Sequence, residues 1–193
     1  MSEQKVADPG PLGLAGFAMT TFLLSSFNAG LFKFGGTAGA GLDGAISLAL
    51  FYGGLAQFAA GMWEFARKNT FGALAFTSYG AFWMGLYAFI NFQGGLGVKG
   101  ALGVYLLAWT IFTLYMTIAA AKTNTAILSV FVVLLVTFVF LTIGNWGAGH
   151  ENIVKIGGWL GILTALLAWY TSMAGVVNET WGRTVLPVGP LNS

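Results

Sequence analysis

Five amide or carboxyl side chains interrupt the long apolar stretches of this sequence: Asn28, Gln57, Glu64, Asn91 and Asn145. A polar group in an apolar environment needs a hydrogen-bonding partner or water. We therefore expect these side chains to face the interior of a helix bundle, where partners and water are available.

Glu64 is the only carboxylate well inside an apolar stretch, and Arg67 and Lys68 follow it at the i+3 and i+4 spacings of a helix. A local ion pair is the simplest interpretation. The functional alternative is a relay for a proton or a solute, assisted by Gln57, which lies one heptad earlier on the same helical face. The sequence encodes no chain of titrating groups, which favours a channel or a lightly coupled carrier over a pump.

The sequence lacks the residues that enzymatic and metal sites usually need. The sequence has no cysteine and a single histidine, His150. Haem, iron–sulfur and intramembrane zinc sites would therefore lose their usual ligands. The apolar stretches offer hydroxyls without an embedded base to activate them, and His150 beside Glu151 is typical of a solvated loop pair. We expect no cofactor, no metal and no enzymatic activity.

Two of the predicted helices can each present a stripe of residues on one face, with the same spacing from an apolar residue to an asparagine. Phe17 and Asn28 are eleven residues apart, as are Leu134 and Asn145. At about 100° per residue this spacing returns to nearly the same helical face, roughly 16 Å along the axis. The intervening stripe residues are Thr20, Thr21 and Leu24 in the first helix, and Thr137, Phe138 and Leu141 in the second. The pattern is typical of a pore with a dry waist, and equally of ordinary helix packing.

The elements that position these residues are six long apolar segments. Charged residues make up only 7% of the chain and hydrophobic residues 57%, far from the composition of a soluble domain. We predict an all-α integral membrane protein of six transmembrane helices in one compact bundle, forming a single domain over residues 1–193. The predicted spans are about 12–32, 44–66, 71–93, 98–121, 125–144 and 154–177, with short tails at 1–11 and 178–193.

Basic residues predict the orientation in the membrane. Five lie on the side shared by both termini (Lys5, Arg67, Lys68, Lys122 and Arg183), and three lie on the other (Lys33, Lys99 and Lys155). This bias predicts cytoplasmic termini and cytoplasmic tails. The basic residues are scattered singly, so we expect no binding to nucleic acid. Glycines at helix-contact spacing predict tight packing within or between subunits.

Several blocks of the sequence resemble one family along nearly the whole chain. They are ADPGPLGLAGFAMTT at 7–21, FYGGLAQFAAGMWEF at 51–65, NTFGALAFTSYGAFW at 69–83, GVYLLAWTIFTLYM at 103–116, IGNW at 143–146, GGWLG at 157–161 and NETWGRTVLP at 178–187. These blocks are similar to those of the acetate uptake transporter family, also called succinate–acetate permeases.

The resemblance implies a homohexamer in the lipid of the cell membrane, each protomer having its own path for acetate and other small carboxylates, with succinate in some members. It also implies an apolar constriction formed by Phe17, Tyr79 and Leu134. The polar side chains and stripes described above predict the polar groups of the substrate path, which are Thr20, Asn28, Gln57, Glu64 and Asn145. Passage of a bare carboxylate would cost several kcal/mol. Hydrogen bonds from the Tyr79 hydroxyl or neighbouring amides, or a co-transported proton, could lower that cost.

The N-terminal signature departs from the family pattern at one position. Asp8 replaces the usual asparagine in a segment that continues with Pro9, Pro11, Leu12, Gly13 and Leu14. An aspartate can still accept hydrogen bonds from the first backbone amides of a helix, whereas anion binding would be weakened. We interpret the segment first as a helix cap and second as part of a substrate entrance.

Two other functional classes remain open from the sequence. A proton-coupled carrier with alternating access would also use polar groups near the membrane midplane. A non-transporting membrane scaffold or sensor would use the same stripes for subunit contacts.

Overall fold

Helices form nearly all of the described structure. The computed structural model describes residues 6–31, 42–92, 100–146 and 150–191. The elements are α1 (Gly10–Asn28), α2 (Leu42–Leu50), a π-helical segment (Phe51–Ala56), α3 (Gln57–Ala66), α4 (Thr70–Phe92), α5 (Ala101–Ala120), α6 (Thr125–Gly144) and α7 (Glu151–Trp181). Within these ranges the only strand-like pairing is an isolated bridge between Asn124 and Pro190.

Six helical spans in the described part of the chain are long and apolar enough to cross a membrane. The stretch from Gly44 to Ala66, which includes the π-helical segment, counts as one of them. The predicted all-helical fold with six spans is therefore confirmed.

The ends of two helices differ from the predicted bounds. The first helix stops at Asn28 instead of 32, because Gly30 adopts a left-handed conformation with φ of 76°. The last helix begins at Glu151 and continues to Trp181, where Gly182 ends it in the same way. The predicted tail at 178–193 thus starts inside α7. Residues 32, 93 and 98–99, at three of the predicted span ends, lie outside the described residues.

Short polar side chains satisfy the first amides of two helices. The Asn124 side chain accepts a hydrogen bond from the Ile127 backbone N–H at 2.9 Å at the start of α6. The Asn69 side chain accepts one from the Gly72 N–H at 3.1 Å at the start of α4. These bonds matter because the first turn of a helix has no internal partners for its N–H groups.

Glycines bring pairs of helices into backbone contact. A Cβ atom on Gly80 of α4 would lie 2.7 Å from the backbone nitrogen of Phe58 in α3. A Cβ atom on Gly158 of α7 would lie 2.3 Å from the backbone nitrogen of Ala29, just after α1. The small residues noted in the sequence therefore serve packing within one protomer at these positions.

The π-helical segment packs against α1 beside the middle of the bundle. Gly53 lies so close to Thr20 that a Cβ atom would come within 2.5 Å of the Thr20 hydroxyl oxygen. A Cβ atom on Gly16 of α1 would likewise lie 2.6 Å from the Tyr52 carbonyl oxygen. A π-helical insertion changes the side of the helix on which the following residues lie. Gln57 is the first residue after the insertion.

The C-terminal segment folds back on the bundle. The Tyr170 hydroxyl donates a hydrogen bond to the Pro187 carbonyl at 2.7 Å, and the Leu191 N–H donates one to the Thr123 carbonyl at 3.0 Å. The C-terminal end therefore lies at the α5–α6 turn. The Asp8–Arg67 ion pair and a hydrogen bond from the Ser172 hydroxyl to the Pro11 carbonyl place the N-terminal residues at this same end.

We expect Gly80→Ala to destabilise the protein, because the added methyl would force α3 and α4 apart. Overpacking of this kind typically costs about 1–3 kcal/mol. Gly44→Ala is the matched control, since a Cβ there has no atom within 4 Å. Thermal unfolding of the purified protein in detergent is the measurement, and equal midpoints for the two variants would contradict the packing assignment.

Candidate functional site

Two adjacent cavities lie inside the helix bundle. The smaller has a volume of about 30 Å³ and the larger about 280 Å³. Phe17 of α1 and Leu134 of α6 belong to the walls of both cavities. These two side chains therefore stand between the cavities.

Tyr79 of α4 lies against this partition. It lines the smaller cavity, and its ring centroid is 5.7 Å from that of Phe17. Phe17, Tyr79 and Leu134 are 5%, 3% and 4% exposed. The structure thus brings together the three residues that the resemblance placed in a constriction, although they come from three helices.

The Tyr79 hydroxyl is bonded to another helix. It lies 2.8 Å from the Thr113 hydroxyl of α5, and the residue is almost fully buried. The hypothesis that this hydroxyl holds a solute in the constriction does not fit this arrangement, because its hydrogen bond is already made to α5. The ring of Tyr79, rather than its hydroxyl, forms the wall of the path.

The two predicted stripes meet across the larger cavity. Its wall includes Thr21 and Leu24 of α1 and Thr137, Phe138 and Leu141 of α6. Asn28 and Asn145, the two carboxamides predicted at one end of these stripes, line it too. The Asn145 amide donates to the Leu141 carbonyl at 2.8 Å, which leaves its second N–H available.

Thr20 lines neither cavity, and its place on the substrate path stays a prediction. Its hydroxyl donates to the Gly16 carbonyl at 2.9 Å, and its side chain packs on Gly53. Gln57 does line the smaller cavity, and within the described part of the chain its Oε1 has no hydrogen-bond partner. Gln57 and Glu64, which the sequence predicts on one helical face, are both buried and at most 2% exposed.

Glu64 has a different partner from the one predicted. Its carboxylate accepts a hydrogen bond from the Asn69 amide at 2.9 Å, whereas Arg67 pairs with Asp8. The predicted local ion pair with Arg67 and Lys68 is therefore wrong. Glu64 is not a wall residue of either cavity; it packs between the first turns of α1 and α4, near Gly10 and Gly72.

The N-terminal signature acts as a cap and a packing element. The Asp8 carboxylate accepts a hydrogen bond from the Gly10 N–H at 3.0 Å, at the start of α1. Gly13 allows Phe76 to approach, since a Cβ would lie 2.5 Å from its ring. Leu14 lines the smaller cavity. Pro9 is buried and Leu12 is 45% exposed, and neither lines a cavity.

One of the five polar residues predicted to face the interior faces away from it. Asn91 is exposed and donates to the Tyr87 carbonyl at 2.9 Å, so its predicted interior position is wrong.

Helix α4 contributes more residues to the cavity walls than the sequence reasoning predicted. Together with Tyr79, the wall residues that it missed follow the three- and four-residue spacing of one helical face, and this spacing is the signal that could have identified them. They are Phe71, Ala75, Phe76, Phe82, Trp83, Leu86 and Ile90.

The described residues of the two cavity walls include no Asp, Glu, His, Lys or Arg. In the described ranges, no cluster of three or more His, Asp or Glu residues could hold a metal ion. Three polar atoms of wall residues have no hydrogen-bond partner among the described residues: the Thr21 hydroxyl oxygen, the Gln57 Oε1 and the Trp83 ring nitrogen. The arrangement can bind and pass a small molecule through neutral groups.

Comparison with known proteins gives a match along the full sequence. Residues 1–193 match the model of the GPR1/FUN34/yaaH family. The chain is 45% identical to the succinate-acetate/proton symporter SatP of Escherichia coli K12, over 98% of each chain. It is 37% identical to acetate permease A of Emericella nidulans, over 96% of this chain and 66% of that protein.

A solved structure agrees with this relationship. The structure of the bacterial acetate channel SatP superposes with a TM-score of 0.85 at 43% sequence identity. The match covers 96% of this chain and 100% of the other.

We expect cysteines at Asn28 and Asn145 to react with water-soluble thiol reagents, because both positions line the larger cavity and are only half-buried. The chain has no cysteine of its own, so each label reports a single site. Thr164→Cys is the control, since this residue is fully buried. Labelling rates of the intact protein in liposomes test the prediction, and protection of both positions to the level of Thr164→Cys would contradict a water-filled cavity.

Proposed function

This chain belongs to the GPR1/FUN34/yaaH family, and from that premise we propose that it moves acetate and related small carboxylates, succinate among them, across the membrane that its helices span. The support from relatives is that the symporter, the permease and the channel similar to this chain all have names that describe acetate transport. The relatives are not named as enzymes, in line with the expected absence of enzymatic activity.

The observation that carries the proposal is the apolar partition between two cavities. Phe17 and Leu134 line both cavities, and the Tyr79 ring packs against Phe17. A small acid can reside in the larger cavity and must pass these three side chains to reach the smaller one. Hydrated inorganic ions are disfavoured there, because the constriction offers no polar group to replace their water.

Neutral donors in the larger cavity are suited to hold a carboxylate before it crosses. Asn28 and Asn145 can donate N–H groups, and Thr21 and Trp83 have polar atoms without a partner among the described residues. Hydrogen bonds to a carboxylate are charge-assisted and stronger than neutral ones. The donors do not add a fixed positive charge, so a bound anion can leave again.

A second mechanism, proton-coupled transport, has its own support. One relative is named a succinate-acetate/proton symporter. Among the described residues, neither cavity wall has an acidic, basic or histidine side chain, so none of these wall residues supplies a titrating group for a relay. We propose that a coupled proton crosses on the substrate itself, as the neutral acid, which removes the large cost of placing a carboxylate in an apolar constriction.

Placement in the cell and assembly follow from the same premise. We propose a homohexamer in the lipid of the cell membrane, with both termini and the tails 1–11 and 178–193 on the cytoplasmic side. Four described basic residues support this orientation, since they lie at the end of the bundle that holds both terminal segments, while Lys155 lies near Gly30 at the other end. The four are Arg67, Lys68, Lys122 and Arg183. Lys5, Lys33 and Lys99 lie outside the described residues.

The primary test is radiolabelled acetate entry into proteoliposomes that contain the purified protein, with and without an imposed pH gradient. We expect protein-dependent entry above that of empty liposomes, which measure the background permeation of acetic acid. Equilibration without a gradient indicates a channel, and accumulation driven by the gradient indicates proton coupling. Entry no faster than in empty liposomes would contradict transport and favour the scaffold or sensor hypothesis.

Truncation of the constriction should widen the range of acids. We expect Tyr79→Ala and Leu134→Ala to raise the ratio of butyrate to acetate entry by about tenfold or more, because each change opens the partition by several atoms. Leu114→Ala is the control, since Leu114 is 50% exposed on α5 and lines neither cavity. Unchanged ratios in both constriction variants would rule out these residues as the gate.

A further inference from the structure

We propose that Thr113 is a positioning residue that fixes the Tyr79 ring in the constriction and so limits the size of the acid that passes. The inference rests on the proposed function, because it assigns a role in the same path. Thr113 itself touches neither cavity. Its effect on the path must therefore act through Tyr79.

The direction of the hydrogen bond follows from the chemistry of the two hydroxyls. A threonine hydroxyl has one hydrogen to donate, and that of Thr113 points to the Trp109 carbonyl of its own helix, at 2.8 Å. The Tyr79 hydroxyl, 2.8 Å away, must then be the donor to the Thr113 oxygen. The Trp109 carbonyl thus orients the Thr113 oxygen, and that oxygen holds the far end of the Tyr79 ring.

The bond lies in a dry environment, which raises its importance. Thr113 is 0% exposed and Tyr79 is 3% exposed. An unpartnered hydroxyl in such a place is unfavourable, so the tyrosine would turn to find another partner if Thr113 lost its oxygen. The smaller cavity, which the Tyr79 ring lines, is open space into which the ring can turn. A turn of the ring in that direction changes the width of the constriction.

Aromatic neighbours hold the ring from its sides but do not replace this bond. The rings of Phe112 and Phe131 have centroids 5.2 and 6.1 Å from that of Tyr79. Such contacts are weakly directional compared with a hydrogen bond. Between α4 and α5, the described part of the chain has one other side-chain hydrogen bond, from the Tyr105 hydroxyl to the Phe82 carbonyl at 2.8 Å.

Thr110 offers a matched control one turn earlier on α5. Its hydroxyl also donates to a carbonyl of its own helix, that of Leu106, at 2.8 Å. It also contacts a second hydroxyl on another helix, that of Thr142, at 3.0 Å. It does not contact Tyr79 and lines neither cavity. Thr110→Val therefore removes a similar interhelical bond without affecting the constriction.

The experiment compares butyrate and acetate entry into proteoliposomes for the full-length protein and five variants. They are Thr113→Val, Thr113→Ser, Tyr79→Phe, the Thr113→Val/Tyr79→Phe double variant and Thr110→Val. The readout is the butyrate-to-acetate ratio, which a change in overall stability or protein yield does not move. The double variant removes both hydroxyls. It therefore tests the positioning role of Thr113 without leaving a buried tyrosine hydroxyl that has no partner.

We expect Thr113→Val and Tyr79→Phe each to raise the ratio by roughly threefold to tenfold. Thr113→Ser keeps the oxygen and should match the wild type, as should Thr110→Val. The double variant should show no more than the larger single effect, because both changes remove one shared bond.

Four outcomes would overturn the inference. An unchanged ratio for Thr113→Val, in a protein whose wild type transports acetate, would overturn it and leave the proposed function intact. Additive effects in the double variant, or an equal rise for Thr110→Val, would show that the bond does not act through the constriction. Absence of acetate entry through the wild type would overturn the proposed function itself, and the inference with it.

Discussion

The absence of water in the hydrocarbon layer is the constraint on which the rest of this structure depends. A backbone amide that cannot reach water must find its partner within the chain, and helices provide that partner along their whole length. Six threonine hydroxyls follow the same rule. The threonines at 110, 113, 117, 137, 164 and 171 each donate to the carbonyl four residues earlier. Because these hydroxyls are used locally, most of the surface left for the cavities is apolar.

Residue size then decides where the helices touch and where they leave space. Glycines at 80 and 158 allow backbone contact between α3 and α4 and between α7 and the end of α1. Large side chains on the inner faces of α1, α4 and α6 keep these helices apart around the two cavities. Phe17, Tyr79 and Leu134 meet where the cavities adjoin. The constriction is therefore a consequence of tight packing on one side of each helix and bulky side chains on the other.

The charged side chains of the described residues lie outside the walls of the two cavities. Asp8, Glu64 and Arg67 lie at the end of the bundle that holds the chain termini, and none of them lines a cavity. Their interactions fix the first turns of α1 and α4, as the bonds to Gly10 and Asn69 show. The described wall residues of the two cavities are therefore neutral. A wall of neutral donors and aromatic rings does not hold an anion as tightly as a fixed positive charge would.

The sequence by itself determined the six apolar spans and the faces of α1 and α6 that line the larger cavity. Both follow from local periodicity, since Phe17 and Asn28 share a face in any straight helix. Tertiary structure decided the partners. Arg67 pairs with Asp8, 59 residues away, so Glu64 bonds to Asn69 instead. Thr20 packs on Gly53 because a π-helical segment faces it, and the Tyr79 hydroxyl reaches Thr113 on another helix. Periodicity sets the direction of a side chain on its own helix, whereas its partner depends on which helix packs opposite and at what height.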